Sequence, residues 1–342
     1  MLQAVLEQPQ KVVFHDIPRP SAGAGQILIK VKEIGVCGSD IHAYYGKHPY
    51  ISCPIVQGHE FSGQVLEVGP GVKGFRQGSD VTVMPQIVCG QCHPCRHGNY
   101  HICNSLKVIG CQVAGAAQEF FAVDAKLALP LPRGMSYDLG AMIEPAAVGA
   151  HALSRLGSDV KGMNILVLGA GPIGNLAAQT ARGLGARSVM ITDVSDFRLD
   201  IARRCGIQGC VNPAKESLDE AIVKHFGGDR ADAILECVGA QATVEQAISL
   251  SRKGTDIVIV GVFAQKPSID IGLVQDRELR LTGTLMYREP DYRTAIRLLQ
   301  SRAIDAAPLI THRFAFRDYA AAYLHIERNR DSTMKVLIDM EK

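Results

Sequence analysis

The chain has no tryptophan among its 342 residues, and only 6% of them are aromatic. A surface that stacks nucleic-acid bases needs aromatic platforms, so that function class is disfavoured. There is no basic run and no acidic tail, and the formal net charge is +2. Nothing invites a polyanion or an anionic membrane surface. No apolar stretch approaches the length of a membrane span. Internal repeats and low-complexity segments are absent. The opening Met1-Leu2-Gln3-Ala4-Val5-Leu6-Glu7 runs straight into strand-like alternation and lacks a signal-peptide layout. A cytoplasmic protein is expected.

A hydrophobic fraction of 47% with 20% charged residues describes a globular chain. Its length suggests two domains. Ten cysteines in a chain this long, with no export signal, read as metal ligands rather than disulfides.

The organising stretch runs from Val36 to Glu60. It contains Cys37-Gly38-Ser39-Asp40-Ile41-His42 and then Gly58-His59-Glu60. A thiolate, an imidazole and a carboxylate suit a borderline-soft divalent ion such as zinc. Two or three protein ligands with a free position make a catalytic site, not a closed structural one. A second cluster, Cys89-Gly90-Gln91-Cys92-His93-Pro94-Cys95 continuing to Cys103, offers four thiolates in one loop. That set satisfies a tetrahedral structural zinc. An iron–sulfur cluster or two disulfides are the alternatives on ligand type. His93, His97 and His101 read as surface residues, and Cys111 as a core residue outside the set.

Residues 1 to about 125 are short β-prone runs broken by Gly and Pro, an all-β, barrel-like pattern. From Asn164 to about Thr284, short apolar runs such as Ile165–Leu168, Ser188–Ile191, Ala233–Glu236 and Ile257–Val260 alternate with helical segments. This pattern predicts a doubly wound parallel sheet buried on both faces. Beyond Leu285, a helix over Asp291–Ser301 and a closing strand over Lys335–Asp339 are expected to return to the first domain. The reading divides the chain into 1–147 with a metal lobe at 89–103, then 148–284, then the return at 285–342.

Leu168-Gly169-Ala170-Gly171-Pro172-Ile173-Gly174 follows an apolar strand and opens a helix. This is G-x-G-x-x-G in the strand–turn–helix setting that cradles a pyrophosphate at a helix N-terminus. Asp193, about 20 residues on, suits the ribose hydroxyls and repels a 2′-phosphate. NAD is therefore favoured over NADP, with Arg198 as the counter-argument.

Together, the Cys/His/Glu site, the four-cysteine lobe and the dinucleotide fold resemble the zinc-dependent medium-chain dehydrogenase/reductase family. The resemblance covers essentially the whole chain. Cys37–His42, Gly58-His59-Glu60, Glu144-Pro145, Thr192-Asp193-Val194-Ser195 and Glu236-Cys237-Val238-Gly239 are most similar to its sorbitol (L-iditol) dehydrogenase branch. That branch also holds butanediol, threonine and sugar-acid dehydrogenases.

The resemblance implies a GroES-like β-barrel catalytic domain plus a Rossmann domain. It implies Cys37, His59 and Glu60 as catalytic zinc ligands, with Glu144 at or near the metal. It implies Ile173, Asp193, Arg198, Val238, Gly261, Val262, Phe263 and Leu285 as cofactor contacts, and Tyr44, Tyr287 and Arg288 at the substrate. Tyr287-Arg288 reverses the branch's Arg-Tyr order. Ala43 stands where the branch has a tyrosine, with Tyr44 one step later. The four-cysteine lobe is a departure from animal sorbitol dehydrogenases. A homotetramer or homodimer is implied.

The expected chemistry is oxidation of a secondary hydroxyl of a polyol. A Lewis-acid metal lowers the hydroxyl's pKa, hydride passes to NAD, and Ser39 and His42 carry the proton outward, an imidazole suiting release near neutral pH. The runner-up is oxidation of a sugar acid or L-threonine, with Tyr287, Arg288 and Arg293 in view for a carboxylate. A non-catalytic zinc- and nucleotide-binding scaffold and a zinc-free quinone reductase are the rivals.

Overall fold

Gln26–Val36 is the longest strand, 11 residues. Ile27, Leu28, Ile29, Val31, Ile34 and Val36 are all buried, and no proline interrupts the run. β-branched and aliphatic side chains fit such a pleated, covered surface. The computed structural model, which describes all 342 residues, builds one unit around this strand. That unit comprises Met1–Glu144 and Ile310–Lys342, and the other comprises Pro145–Leu309. No helix is long and apolar enough to cross a membrane.

In the first unit, Glu60–Val68 pairs antiparallel with one edge of Gln26–Val36. Lys335–Asp339 and Phe120–Asp124 pair antiparallel with it too. Asp80–Val83 and Ala128–Pro130 extend the sheet on one side and Ile310–Ala315 on the other. The register sets Gly35 opposite Glu60 and Val36 opposite Val336. One end of the central strand therefore meets the starts of two others, and that junction carries the site described below.

The second unit contains a six-stranded sheet, parallel throughout. Its spatial order is Gly209–Val211, Ser188–Thr192, Asn164–Leu168, Ala233–Glu236, Asp256–Ile259 and Arg280–Gly283. The chain therefore starts at the middle of the sheet and winds outward in both directions. Alternation along each strand feeds two cores. Ile165, Val167, Val189, Ile191 and Leu235 enter one. Leu166, Leu168, Met190 and Ile234 enter the other. The near-continuous apolar runs of the sequence are the consequence.

The return to the first unit comes at Ile310, later than the 285 read from sequence. The helix Glu289–Gln300 stays with the second unit because buried polar and apolar contacts hold it there. Asp291 meets His151 Nδ1 at 2.8 Å, and both residues are buried. The segment just after this helix is tied down too, since Gln179 Oε1 accepts the backbone N–H of Asp305 at 2.7 Å. The strand Ile310–Ala315 and the helix Tyr319–Arg328 then complete the first unit.

One buried group makes stability depend on pH. Glu33 lies in the central strand and is 5% exposed. Burial, reinforced by Asp138 and Asp339, raises its pKa to about 8 against the opposing Arg313 and Lys342. A folded-state pKa above the unfolded one favours folding while the group is protonated. That contribution is complete below about 4.5 and is lost as pH rises through about 8. Glu33→Gln should therefore melt several degrees above wild type at pH 9 and close to it at pH 5. Thermal midpoints across that range test this, and a pH-independent difference would contradict it.

Candidate active site and metal centres

Cys37 directly follows the central strand and precedes the short helix Gly38–Tyr44. Glu60 begins the paired strand, and His59 directly precedes it. Gly58 sits just before them at φ +94°, in the left-handed region that favours glycine. The donor atoms of Cys37, His59 and Glu60 all lie within 4.8 Å of one another. His59 and Glu60 are buried. A thiolate, an imidazole and a carboxylate at this spacing fit zinc and leave a coordination position open.

Two charged residues that the sequence reading did not single out support this set. Asp40, 1% exposed, accepts the Cys37 N–H at 2.9 Å and faces His59 Nδ1 at 3.5 Å. Burial favours the neutral imidazole, but Asp40 first and then Cys111 and Cys37 together outweigh it and hold His59 well above its ordinary pKa. A carboxylate behind a metal-ligating histidine fixes the ring's orientation. Lys335 is 3% exposed, forms an ion pair with Glu60 and donates to the Val36 carbonyl at 3.1 Å. Burial opposes its charge, yet Glu60 with Cys37 and Glu144 raises its pKa. Asp40 lies inside the Cys37–His42 motif. Lys335 was visible only as the first residue of a strand, and pairing register alone brings it here.

Ser39 is half-buried and His42 exposed, three residues apart on one helix and so on neighbouring positions of its surface. Glu144 is 6% exposed in the first turn of the helix Ile143–Ser154. Tyr44, which the resemblance places at the substrate, is packed into the core of the first unit. It is 2% exposed, and its ring stacks on Tyr323 at 4.7 Å. In a seven-residue helix whose outer face carries Ser39 and His42, Tyr44 falls on the core side. Tyr287 and Arg288 belong to the second unit. Tyr287 is fully buried with its ring edge-on to Tyr292. Arg288 is half-buried, and its buried Nε has no hydrogen-bond partner.

Cys89, Cys92, Cys95 and Cys103 form the second donor group. Their sulfur separations include 4.0 Å for Cys89–Cys95, 3.8 Å for Cys92–Cys103 and 3.5 Å for Cys89–Cys103. Four sulfurs about 2.3 Å from a tetrahedral zinc would lie about 3.8 Å apart, so the set fits a closed site. Backbone N–H groups of Asn104 and Cys95 lower the Cys92 pKa to about 6, while burial raises Cys95 to about 12. His93 and His97 are exposed, but His101 is buried at 4%. The tight turn Tyr100–Ile102 directs His101 inward and leaves Ile102 outside. Cys111 is buried as expected.

In the second unit, the glycines of the 169–174 turn serve different needs. Gly169 has φ +99°. A Cβ on Gly174 would lie 1.9 Å from the Gly169 carbonyl oxygen, whereas one on Gly171 would meet no protein atom. That open space lies beside the N-terminus of the helix Pro172–Gly183, where backbone N–H groups favour an anion. Ile173 follows, half-buried. Asp193 accepts N–H groups from Ala170 and Ser195, each at 2.9 Å, and Arg198 lies 3.5 Å from it. Val238, Val262 and Leu285 are 47%, 88% and 54% exposed. They follow the C-terminal ends of three adjacent strands, with Gly261 and the half-buried Phe263 beside Val262. Glu236 was quoted in sequence only as part of a motif. It is fully buried, and its Oε1 accepts from Val238 N, Gly239 N and Thr243 Oγ1, which shapes this edge.

Two substitutions separate fold from binding here. Gly171→Ala should leave the thermal midpoint within a degree or two of wild type but weaken dinucleotide affinity at least tenfold. Gly174→Ala should lower the midpoint itself, because its methyl strikes the backbone. Melting curves and titration followed by the fluorescence of bound NADH distinguish them; full affinity in Gly171→Ala would show that the open space is not the cradle.

Comparison with known proteins agrees with this geometry. Residues 23–133 match the alcohol dehydrogenase GroES-like domain, and residues 172–301 match the zinc-binding dehydrogenase domain. The chain is 36% identical to a sorbitol dehydrogenase of Halalkalibacterium halodurans, across 94% of this chain and 93% of the relative. It is 34% identical to an L-threonine 3-dehydrogenase of Escherichia fergusonii, across 93% and 94%. An alcohol dehydrogenase from Escherichia coli CFT073, solved with NADH, superimposes with a TM-score of 0.91 at 30% identity, covering 99% of each chain. The GroES-like and Rossmann architecture, the metal donors and these relatives agree: the chain belongs to the zinc-dependent medium-chain dehydrogenases, in their sorbitol dehydrogenase-like branch.

Proposed function

We propose that this enzyme oxidises a secondary hydroxyl of a polyol or related sugar alcohol to a ketone, with NAD as the oxidant. One observation carries the reading: the Cys37, His59 and Glu60 donors converge within 4.8 Å, directly beside the helix that bears Ser39 and His42. Zinc held there supplies Lewis acidity that lowers the pKa of a substrate hydroxyl. NAD supplies the hydride acceptor.

The chain's own residues do the rest. Cys37, His59 and Glu60 hold the metal, and Asp40 orients His59. Lys335 balances the Glu60 carboxylate. Ser39 takes up the hydroxyl proton on the half-buried side of its helix, and the exposed His42 releases it to water. Glu144 is the second carboxylate assigned at or near the metal. Gly169, Gly171 and Gly174 cradle the pyrophosphate, and Asp193 receives the adenine ribose and disfavours a 2′-phosphate. The four cysteines of the 89–103 lobe hold a second, structural zinc, so two ions are expected per chain.

Self-association as a homotetramer or homodimer is assigned to the open edge strand Arg280–Gly283, which has one sheet neighbour. Ten cysteines outside any disulfide, five of them assigned to metal, suit a reducing cytoplasm. A second substrate reading, a hydroxylated acid such as L-threonine or an aldonate, is favoured by the unpartnered Nε of Arg288.

The test is NADH formation across polyols, butanediol, L-threonine and aldonates, with either nucleotide and with or without a zinc chelator. Turnover of polyols is expected, with NAD preferred at least tenfold and activity lost on chelation. Cys37→Ser should be inactive and carry one zinc fewer, and His42→Ala should turn over at least tenfold more slowly. Turnover confined to the acids would select the second reading. No turnover of any substrate by the zinc-loaded protein would overturn both.

A further inference from the structure

Behind the metal donors lies a chain of polar groups shielded from solvent. Gln57 is 1% exposed, Tyr323 0% and Tyr319 2%. The Tyr323 hydroxyl donates to Gln57 Oε1 at 3.0 Å, and Gln57 Nε2 donates to the Asp40 carbonyl at 3.0 Å. Asp40 is the residue whose carboxylate holds the Cys37 N–H and faces His59. The Tyr319 hydroxyl stands 3.3 Å from that of Tyr323. The Tyr323 ring stacks on Tyr44, which belongs to the same short helix as Asp40.

Apolar residues could fill these places with no buried polar atom to satisfy. A buried amide and a buried phenol are tolerated only when each finds a partner. Here they satisfy each other, and the free end of the amide reaches the helix Gly38–Tyr44. That helix has seven residues, too few to be stable by its own hydrogen bonds. Its position therefore depends on what grips it. Gln57 can grip it firmly, because its own backbone is held: its carbonyl accepts from Ala117 N at 2.9 Å, and the neighbouring Val56 carbonyl accepts from Gly115 N at 2.7 Å.

We propose that Gln57 and Tyr323 are positioning residues of the metal centre. The Tyr323–Gln57 pair pins the Asp40 carbonyl, and so sets the Asp40 carboxylate against His59 and the Cys37 backbone. The helix Tyr319–Arg328 thereby becomes an outer support of a site some 270 residues earlier in the chain. This inference rests on the reading of Cys37, His59 and Glu60 as metal donors.

The test uses the full chain with zinc kept in the four-cysteine lobe and Co2+ exchanged into the Cys37 site. Affinity is read by chelator competition, and geometry by the visible bands of the bound Co2+. Gln57→Leu and Tyr323→Phe should each weaken Co2+ binding about tenfold, the lower range for loss of an outer partner, and alter the bands. The lobe should keep its zinc. In the double variant the Gln57 amide and the Tyr323 hydroxyl are both gone and only the Tyr319 hydroxyl loses a partner, so the thermal midpoint should rise above that of the single variants while the affinity stays low. Recovery of affinity together with stability would reduce the pair to packing and overturn the proposal, as would wild-type binding in both single variants. Should the single variants fail to fold, the double variant decides by the same criterion. A Cys37→Ser protein with unchanged Co2+ bands would instead sink the underlying metal reading.

Discussion

A charge pair with almost no access to water governs the first unit. Glu60 and Lys335 sit 1% and 3% exposed, and each would be strongly disfavoured alone. Removing one partner of such a pair typically costs about 3–5 kcal/mol, because the other is left buried and uncompensated. The pair exists only because Glu60 and Lys335 begin two strands that flank the same central strand. Its geometry also shapes the backbone. A Cβ on Gly35, opposite Glu60, would lie 2.2 Å from Glu60 Oε2. The lysine and the glycine together keep one carboxylate at the surface of a thiolate–imidazole pair.

The second unit solves a different problem. Its sheet buries both faces, so it leaves no side chain within the strands for chemistry. Polar side chains gather at the strand ends instead, where Asp193 and Glu236 stand beside the glycine turn at Gly169. There the polar demand is met locally. Asp193 is held by two backbone N–H groups, and Glu236 Oε1 by two more and a hydroxyl. Carboxylates fixed in this way do not have to reorganise when a ligand arrives, which reduces the entropic cost of binding.

What could be read from sequence was whatever is contiguous. Cys37 to His42, Gly58 to Glu60, the four-cysteine lobe and the glycine turn each occupy one short segment with its own spacing rule. The parallel sheet was legible because doubly buried strands leave continuous apolar runs. Lys335 and the Gln57–Tyr323 contact were not legible, because strand register brings Lys335 to Val36 across 299 residues and helix packing brings Tyr323 to Gln57 across 266. The burial of Tyr44 was not legible, because the side of a short helix that faces the core cannot be told from seven residues. His101 was misjudged because its turn points inward, a property of the local backbone and not of composition. The late return at Ile310 followed from a buried His151–Asp291 contact that no periodicity announces.

The placement of Lys335 also bears on the order of events during synthesis. A ribosome emits chains from the N-terminus, and compact units tend to fold as they emerge. The second unit is one continuous segment, Pro145–Leu309, and all six strands of its sheet are made before Ile310. The first unit has been waiting since Glu144. Its Glu60 carboxylate has no ammonium partner until the strand Lys335–Asp339 arrives. The first unit thus cannot complete its buried charge pair until a strand that follows the whole second unit has been made.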